Sequence, residues 1–221
     1  MTYYDIHTHK QEIRHDEMAI ISVDIRKPYE LNHLCNHFFS AGVHPWYIEA
    51  YDQEAAKLLL DAVCRFAHLP AILAIGETGL DKSAATSASG FALQQEIFIS
   101  HARLSEEVKK PLIIHCVKAW EELLHIRQSI KPAMPWIIHG FRGKATLASR
   151  LLNSGLYLSF GIHYNIDSLK AAWQKGRLLL ETDDKNIAIR TVYQQVACDL
   201  TISEDVLSKK ISCNFHAIHK L

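Results

Sequence analysis

The sequence has no surplus of either charge: 24 Lys+Arg balance 24 Asp+Glu, the formal net charge is +0, and the pI is near 7.2. A protein that wraps long nucleic acid usually carries a strong basic excess, and this chain shows no such electrostatic signature. An enzyme that grips only a strand end or a small phosphate ester is not excluded. Cysteine is sparse, with Cys35, Cys64, Cys116, Cys198 and Cys213 forming no C-x-x-C pair. An odd count without that spacing argues against a disulfide framework and for a reducing compartment. No apolar run approaches the ~18 residues that would suggest a membrane-crossing helix. The stretch Met1 to Asp5 shows neither a basic n-region nor an apolar h-region. The expectation is a cytoplasmic protein with no membrane partner. Low-complexity tracts are also lacking, and no regular period marks a repeat array.

Histidine, by contrast, is plentiful. There are 14, against 24 Lys+Arg, and several stand at the ends of apolar runs, a first pointer to metal. With 48% hydrophobic and 22% charged residues, the chain reads as an ordinary globular protein, residues 1–221 forming a single domain.

The central stretch is Ala71-Ile72-Leu73-Ala74-Ile75-Gly76-Glu77-Thr78-Gly79-Leu80-Asp81. Its apolar run predicts a strand buried on both faces, as in a parallel sheet. Glu77 is expected where the strand leaves the sheet, with Gly76 and Gly79 letting the backbone bend closely around a ligand. A buried carboxylate is costly unless it is paired or coordinates a metal; the plainer alternative is a glutamate on an ordinary turn.

Along the chain, the run from Thr2 to Ile6 leads into Asp5-Ile6-His7-Thr8-His9, where strand alternation puts His7, His9 and Asp5 on one side. Further strands are predicted at Glu17–Asp24, Phe38–Val43, Pro111–Cys116, Trp136–Phe141, Leu156–Gly161 and Arg177–Asp183. Helices are predicted at Pro28–His37, Asp52–His68 with Asp52 as N-cap, Phe91–Lys109, Ala119–Ile130, Ala145–Asn153 closed by Gly155, Ser168–Gln174, Ile187–Leu200 and Ser203–His216 with Ser203 as N-cap. His44, before Pro45, is expected in an extended conformation that could aim its ring into a site. Lys82 to Gly90 reads as a surface loop or flexible lid.

Eight strands, each followed by a helix or long loop, are what a (β/α)8 barrel requires. In a barrel the C-terminal strand ends converge on one face. His7, His9, Glu77, His115, His139 and Asp183 are then expected to share one polar bowl. Imidazoles and carboxylates together suit Zn²⁺, and with water also Mn²⁺ or Mg²⁺. Six ligands exceed the three that one catalytic zinc normally takes, so two divalent ions are expected, with Glu77 the best bridge. Such a pair, about 3.5–4 Å apart, clamps the attacking and leaving oxygens in phosphoester cleavage. Each histidine taken alone could equally be a hydrogen-bonded structural one; their joint position at strand ends favours the site.

The segments Asp5-Ile6-His7-Thr8-His9, Gly42-Val43-His44-Pro45, Ala74 through Asp81, Pro111-Leu112-Ile113-Ile114-His115, Ile138-His139-Gly140-Phe141-Arg142-Gly143 and Leu180-Glu181-Thr182-Asp183 resemble, in order and over most of the chain, the TatD family of metal-dependent hydrolases. The resemblance implies a distorted TIM barrel of the amidohydrolase type and a divalent-metal deoxyribonuclease acting from 3′ ends. It implies that His7, His9 and Glu77 hold one ion and that Glu77, His115 and His139 hold the second. Asp183 would bind metal or act as general base, making Glu77 and Asp183 the catalytic pair. The chain departs from the family where an arginine is usual two residues after His115: Val117 and Lys118 stand here. It has Asp184-Lys185-Asn186 where a proline is common, and it is short for the family. A lysine offers phosphate a point charge instead of a planar fork. Lys118, His44 and Arg142 are the expected substrate contacts, with Lys144 near a helix N-terminus.

The leading reading is therefore a phosphodiesterase acting as a monomer on a DNA end or small phosphate ester. A hydrolase of a small amide, cyclic amide or aminoacyl ester would use the same metal chemistry. A silent metal-binding scaffold is a third reading.

Overall fold

The computed structural model describes residues 1–10, 12–27, 37–50 and 53–219, with residues 49, 50 and 53 described by their backbone alone. The predicted helix at Pro28–His37 and the predicted cap Asp52 fall, wholly or nearly so, outside the described residues. The strands are β1 (Tyr3–Thr8), β2 (Glu17–Asp24), β3 (Phe38–Gly42), β4 (Ile72–Asp81), β5 (Leu112–Val117), β6 (Trp136–Ile138), β7 (Tyr157–Phe160) and β8 (Leu178–Leu180). The helices are α1 (Pro45–Ala50), α2 (Gln53–Ala67), α3 (Ala88–Val108), α4 (Trp120–Ile130), α5 (Ala145–Asn153), α6 (Ile166–Gln174), α7 (Ile189–Leu200) and α8 (Glu204–His219).

The strands follow one another through one sheet in chain order. Neighbours run parallel, which demands a crossover between them. A parallel bridge from Thr8 to Asp183 joins the segment after β8 to β1. This is the strand order and connectivity of a (β/α)8 barrel.

The chain divides into two compact units, residues 1–21 with 137–221, and residues 22–136. In the first, Ile6, Leu178 and Leu180 are buried in the strands and Val192, Tyr193, Ile211 and Phe215 in α7 and α8. The Tyr193 hydroxyl accepts from the Tyr4 N–H and donates to the Tyr4 carbonyl, tying α7 to β1. In the second, Ala41, Ile75 and Ile114 of the strands are fully buried, as are Val63 of α2 and Phe98 of α3. Phe98 meets Trp136 edge-to-face at 5.3 Å.

Several boundaries differ from the sequence expectation. β4 runs on through Glu77 to Asp81, so Glu77 lies inside a strand and not where one leaves the sheet. The strand continues because its pairing with β5 shifts between Ile75 and Thr78, where glycine relaxes the backbone. β6 and β8 are short and stop ahead of His139 and Asp183. Only the early part of residues 82–90 is a loop: Ser87 caps α3 by accepting from the Gly90 N–H. Helix α1 was not anticipated. Pro45 opens it, as proline does at a first helical position. Its cap is His44, whose Nδ1 accepts from the Trp46 N–H at 3.1 Å.

Gly76 (φ +137) and Gly79 (φ +154) adopt conformations that side chains rarely reach, and a Cβ on Gly79 would overlap the His115 carbonyl oxygen. Gly161 tolerates one, its nearest neighbour being the Glu181 carbonyl oxygen at 3.7 Å. We expect Gly79→Ala to lower stability by on the order of 3 kcal/mol, measured by urea unfolding, and Gly161→Ala to stay close to wild type. Equal effects would contradict this backbone account.

His101 on α3 is fully buried. Its Nε2 accepts from the Val43 N–H at 3.0 Å, and its Nδ1 donates to the Ile97 carbonyl at 2.7 Å. It thus pins the chain immediately before His44 and must be neutral to do so. Burial pushes its pKa down to about 4 from 6.5. A depressed folded pKa means stability is fully present above 6.5 and is lost as pH falls toward 4, because only the unfolded chain takes up the proton. Urea midpoints measured from pH 7 to 5 are expected to fall less steeply for His101→Gln than for wild type. Parallel pH slopes would contradict the assignment.

Candidate metal centre

In the second unit, three elements bring His44, Glu77 and His115 together. His44 stands between β3 and α1; because its Nδ1 caps the helix, its Nε2 faces the Glu77 Oε1 at 2.9 Å. His115, within β5, places Nδ1 3.1 Å from the same Oε1. The other ring nitrogen of His115, Nε2, lies 3.3 Å from the Asp81 Oδ2. Asp81 closes β4 and also accepts from the Trp46 indole N–H at 2.8 Å, the Ser83 N–H at 2.8 Å and the Ser83 hydroxyl at 2.6 Å. Burial alone would raise its pKa; the donors from Ser83, Trp46 and His115 outweigh it and hold the carboxyl at about 2. Neighbouring Cys116 has its thiol pushed up to about 12 by burial, which excludes thiolate chemistry at neutral pH.

In the first unit, His7 and His9 flank Thr8 at the end of β1. Their Nε2 atoms lie 3.6 and 3.8 Å from the Asp183 Oδ1, and their rings meet at 5.1 Å. Asp183 (φ +52) donates its N–H to the His7 carbonyl and accepts from the His9 N–H. The backbone that joins the segment after β8 to β1 thus also sets these three side chains. His139, just past β6, packs its ring, tilted, against that of His7 at 4.5 Å and points Nδ1 toward the Glu181 Oε1 at 3.5 Å. Glu181 is fully buried and accepts from the Gly140 N–H at 2.6 Å. Burial opposes its ionisation, yet the donors of His139 and Ser159 and the nearby His7 hold its pKa below the usual carboxylate range.

Asp5 does not side with the histidines as simple alternation expects. β1 shifts register between Asp5 and Thr8, and Asp5 accepts from the Thr182 N–H at 3.0 Å and hydroxyl at 2.6 Å, the hydroxyl that Thr8 also meets. Burial raises its pKa to about 7, against the pull of Thr182 and Lys10.

Within one unit or the other, three groups of described residues offer one ligand atom per residue, all within 4.8 Å of one another: His7, His9 and Asp183; His139, Glu181 and Asp183; His44, Glu77 and His115. Mixed imidazole and carboxylate donors are what a divalent ion such as Zn²⁺ takes, at about 2.0–2.2 Å, so the residues fit such an ion with small side-chain adjustment. All six sequence-predicted ligands lie in these groups. His44, read as a substrate contact, lies in one of these candidate groups. Lys118 and Arg142 are exposed and belong to no group. Glu181 and Asp81 were assigned no role beforehand. The available signal was a carboxylate directly following a wholly apolar run, as Glu181 follows Leu178–Leu180, and a second acid two residues after a glycine, as at Asp81.

A family profile described as TatD related DNase matches residues 5–219. Over 161 residues the chain is 34% identical to an uncharacterized metal-dependent hydrolase, YcfH, of Escherichia coli K12, a match covering 69% of this chain and 57% of that protein. It is 30% identical over 156 residues to a protein of Erwinia billingiae named 3′-5′ ssDNA/RNA exonuclease TatD, covering 65% of this chain and 56% of that one. The chain thus matches a little over half the length of these curated relatives. Among solved structures, a TatD homologue, YjjV, of Escherichia coli K12 superposes with a TM-score of 0.80 at 16% identity, covering 99% of this chain and 98% of that one; a likeness this distant in sequence bears on the fold alone. The family match, spanning nearly every described residue on both sides of the ligand groups, makes the chain a member of the TatD family of metal-dependent hydrolases.

Proposed function

We propose that residues 1–221 act as one hydrolytic domain that cleaves phosphodiester bonds at a nucleic-acid end, DNA first, using two divalent ions. The observation that carries this reading is that each compact unit holds a His/carboxylate group, one built on Asp183 and one on Glu77. Two groups suit the two-ion clamp of phosphoryl chemistry better than the single three-ligand site of a simple zinc hydrolase. His7, His9 and Asp183 would hold one ion and His44, Glu77 and His115 the other, with Mg²⁺, Mn²⁺ or Zn²⁺ as candidates. Such ions polarise phosphoryl oxygens and make water a nucleophile near neutral pH. Asp183, a quarter exposed, is the group able to take the proton of the attacking water. Glu181 stays ionised and holds the His139 ring and the Gly140 N–H in place. Arg142 and Lys118, both exposed, supply positive charge for the substrate backbone. The exonuclease name of the Erwinia billingiae relative supports a strand end as substrate.

A second reading, hydrolysis of a small amide or aminoacyl ester, is favoured by the zero net charge and by Val117-Lys118 where an arginine would grip phosphate bidentately. Single-stranded DNA, single-stranded RNA, and simple amide and ester substrates, each assayed with Mg²⁺, Mn²⁺ or Zn²⁺, separate the two. Shortening of DNA from its 3′ end, abolished by chelation and restored by added Mn²⁺, is expected. Turnover of the amides or esters alone would transfer the assignment to the second reading.

Metal analysis gives a further check. Wild type is expected to retain two equivalents of Mn²⁺ or Zn²⁺. His7→Ala/His9→Ala and His44→Ala/His115→Ala are each expected to lose one equivalent, and Asp183→Asn to lower kcat by roughly 10²–10⁴-fold. A single equivalent in wild type would refute the two-ion reading.

A further inference from the structure

We propose that Asp81 is a positioning residue for His115. It takes the N–H of Nε2 and so commits Nδ1, the nitrogen beside Glu77, to the cation. The inference rests on the reading that His44, Glu77 and His115 hold an ion. His115 faces a carboxylate at each ring nitrogen, Glu77 Oε1 at 3.1 Å from Nδ1 and Asp81 Oδ2 at 3.3 Å from Nε2. A neutral imidazole carries one N–H and one lone pair, so only one of the two carboxylates receives a proton from it. The two carboxylates differ in what surrounds them. Glu77 Oε1 lies among possible ligands, with His44 Nε2 2.9 Å away. Asp81 lies in none of the ligand groups. Its Oδ1 is occupied by the Ser83 N–H, the Ser83 hydroxyl and the Ala84 N–H, and its Oδ2 by Trp46. These bonds fix the Asp81 carboxylate in orientation, as a group must be if it is to orient another. A carboxylate that accepts from a ligating histidine sets its tautomer and raises its basicity, and loss of such a partner typically weakens metal binding 10- to 100-fold.

Trp46 joins the same arrangement. Its indole N–H shares Asp81 Oδ2 with His115, and its ring meets those of His44 at 4.9 Å and His115 at 5.8 Å. Helix α1, which His44 caps, therefore delivers both a ligand and a brace for the carboxylate behind the next ligand.

The test is nitrogen-15 NMR of the full-length protein loaded with cadmium-113 as a spectroscopic stand-in for zinc, with the His115 signals assigned through His115→Gln. The expected result is coupling of cadmium to Nδ1 and a slowly exchanging proton on Nε2. Asp81→Ala is expected to lose that proton's protection and to bind Zn²⁺ roughly 10- to 100-fold more weakly. Ser83→Ala loosens the same turn without touching Oδ2 and is expected to keep both properties; it separates positioning from local folding. Coupling to Nε2 would overturn the role of Asp81 while leaving an ion at His115. Absence of any coupling to His115 would overturn both this inference and the ion assignment beneath it. The wild-type spectrum decides between these outcomes even if Asp81→Ala fails to fold.

Discussion

Among the described residues four acidic side chains, Asp5, Glu77, Asp81 and Glu181, are buried, and the cost of removing a carboxylate from water governs much of what surrounds them. Each is met by its own donors. Asp5 has Thr182 and, at 3.8 Å, Lys10. Asp81 has Ser83, Ala84 and Trp46. Glu181 has the Gly140 N–H. Glu77 is different in kind, because its close polar neighbours His44 and His115 are both imidazoles. Backbone and hydroxyl donors satisfy a buried carboxylate with fixed hydrogen bonds. Imidazoles instead form with it a set of donors that a divalent cation can take over.

The same distinction orders the other compact unit. The Asp183 carboxylate has two histidine rings as its near neighbours, while its backbone is locked by hydrogen bonds to His7 and His9. The bridge between Thr8 and Asp183 is what brings His7, His9 and Asp183 together as a candidate ligand group. Glu181, two residues earlier, takes the supporting role behind His139, as Asp81 does behind His115. Both supporting acids occur in the same short stretch as a ligand of their own or the opposing strand.

Much of this was legible in the sequence. Apolar runs such as Leu112–Ile114 and Leu178–Leu180 read as buried strands, and alternation with helical segments pointed to parallel pairing. The histidines and acids that end such runs stood out as candidate ligands because a buried carboxylate or imidazole is costly unless it is paired or binds a cation. What escaped had local causes. Glu77 was placed beyond its strand because a glycine ordinarily breaks one; here Gly76 and Gly79 let the strand carry on with shifted pairing. Asp5 was grouped with His7 and His9 because alternation was assumed across a register shift. Helix α1 spans six residues, too few for periodicity to reveal. Asp81 and Glu181 were visible as letters, but their roles depend on which ring nitrogen they face, and that is a property of three-dimensional placement.

The account as a whole depends on His7, His9 and Asp183 forming one cation site and His44, Glu77 and His115 another. Anomalous diffraction from crystals soaked in Mn²⁺ or Zn²⁺ tests this most directly. It should return one peak within coordination distance of each group, with the His115 Nδ1 among the donors. Peaks confined to surface carboxylates, with both groups empty at saturating metal, would contradict it.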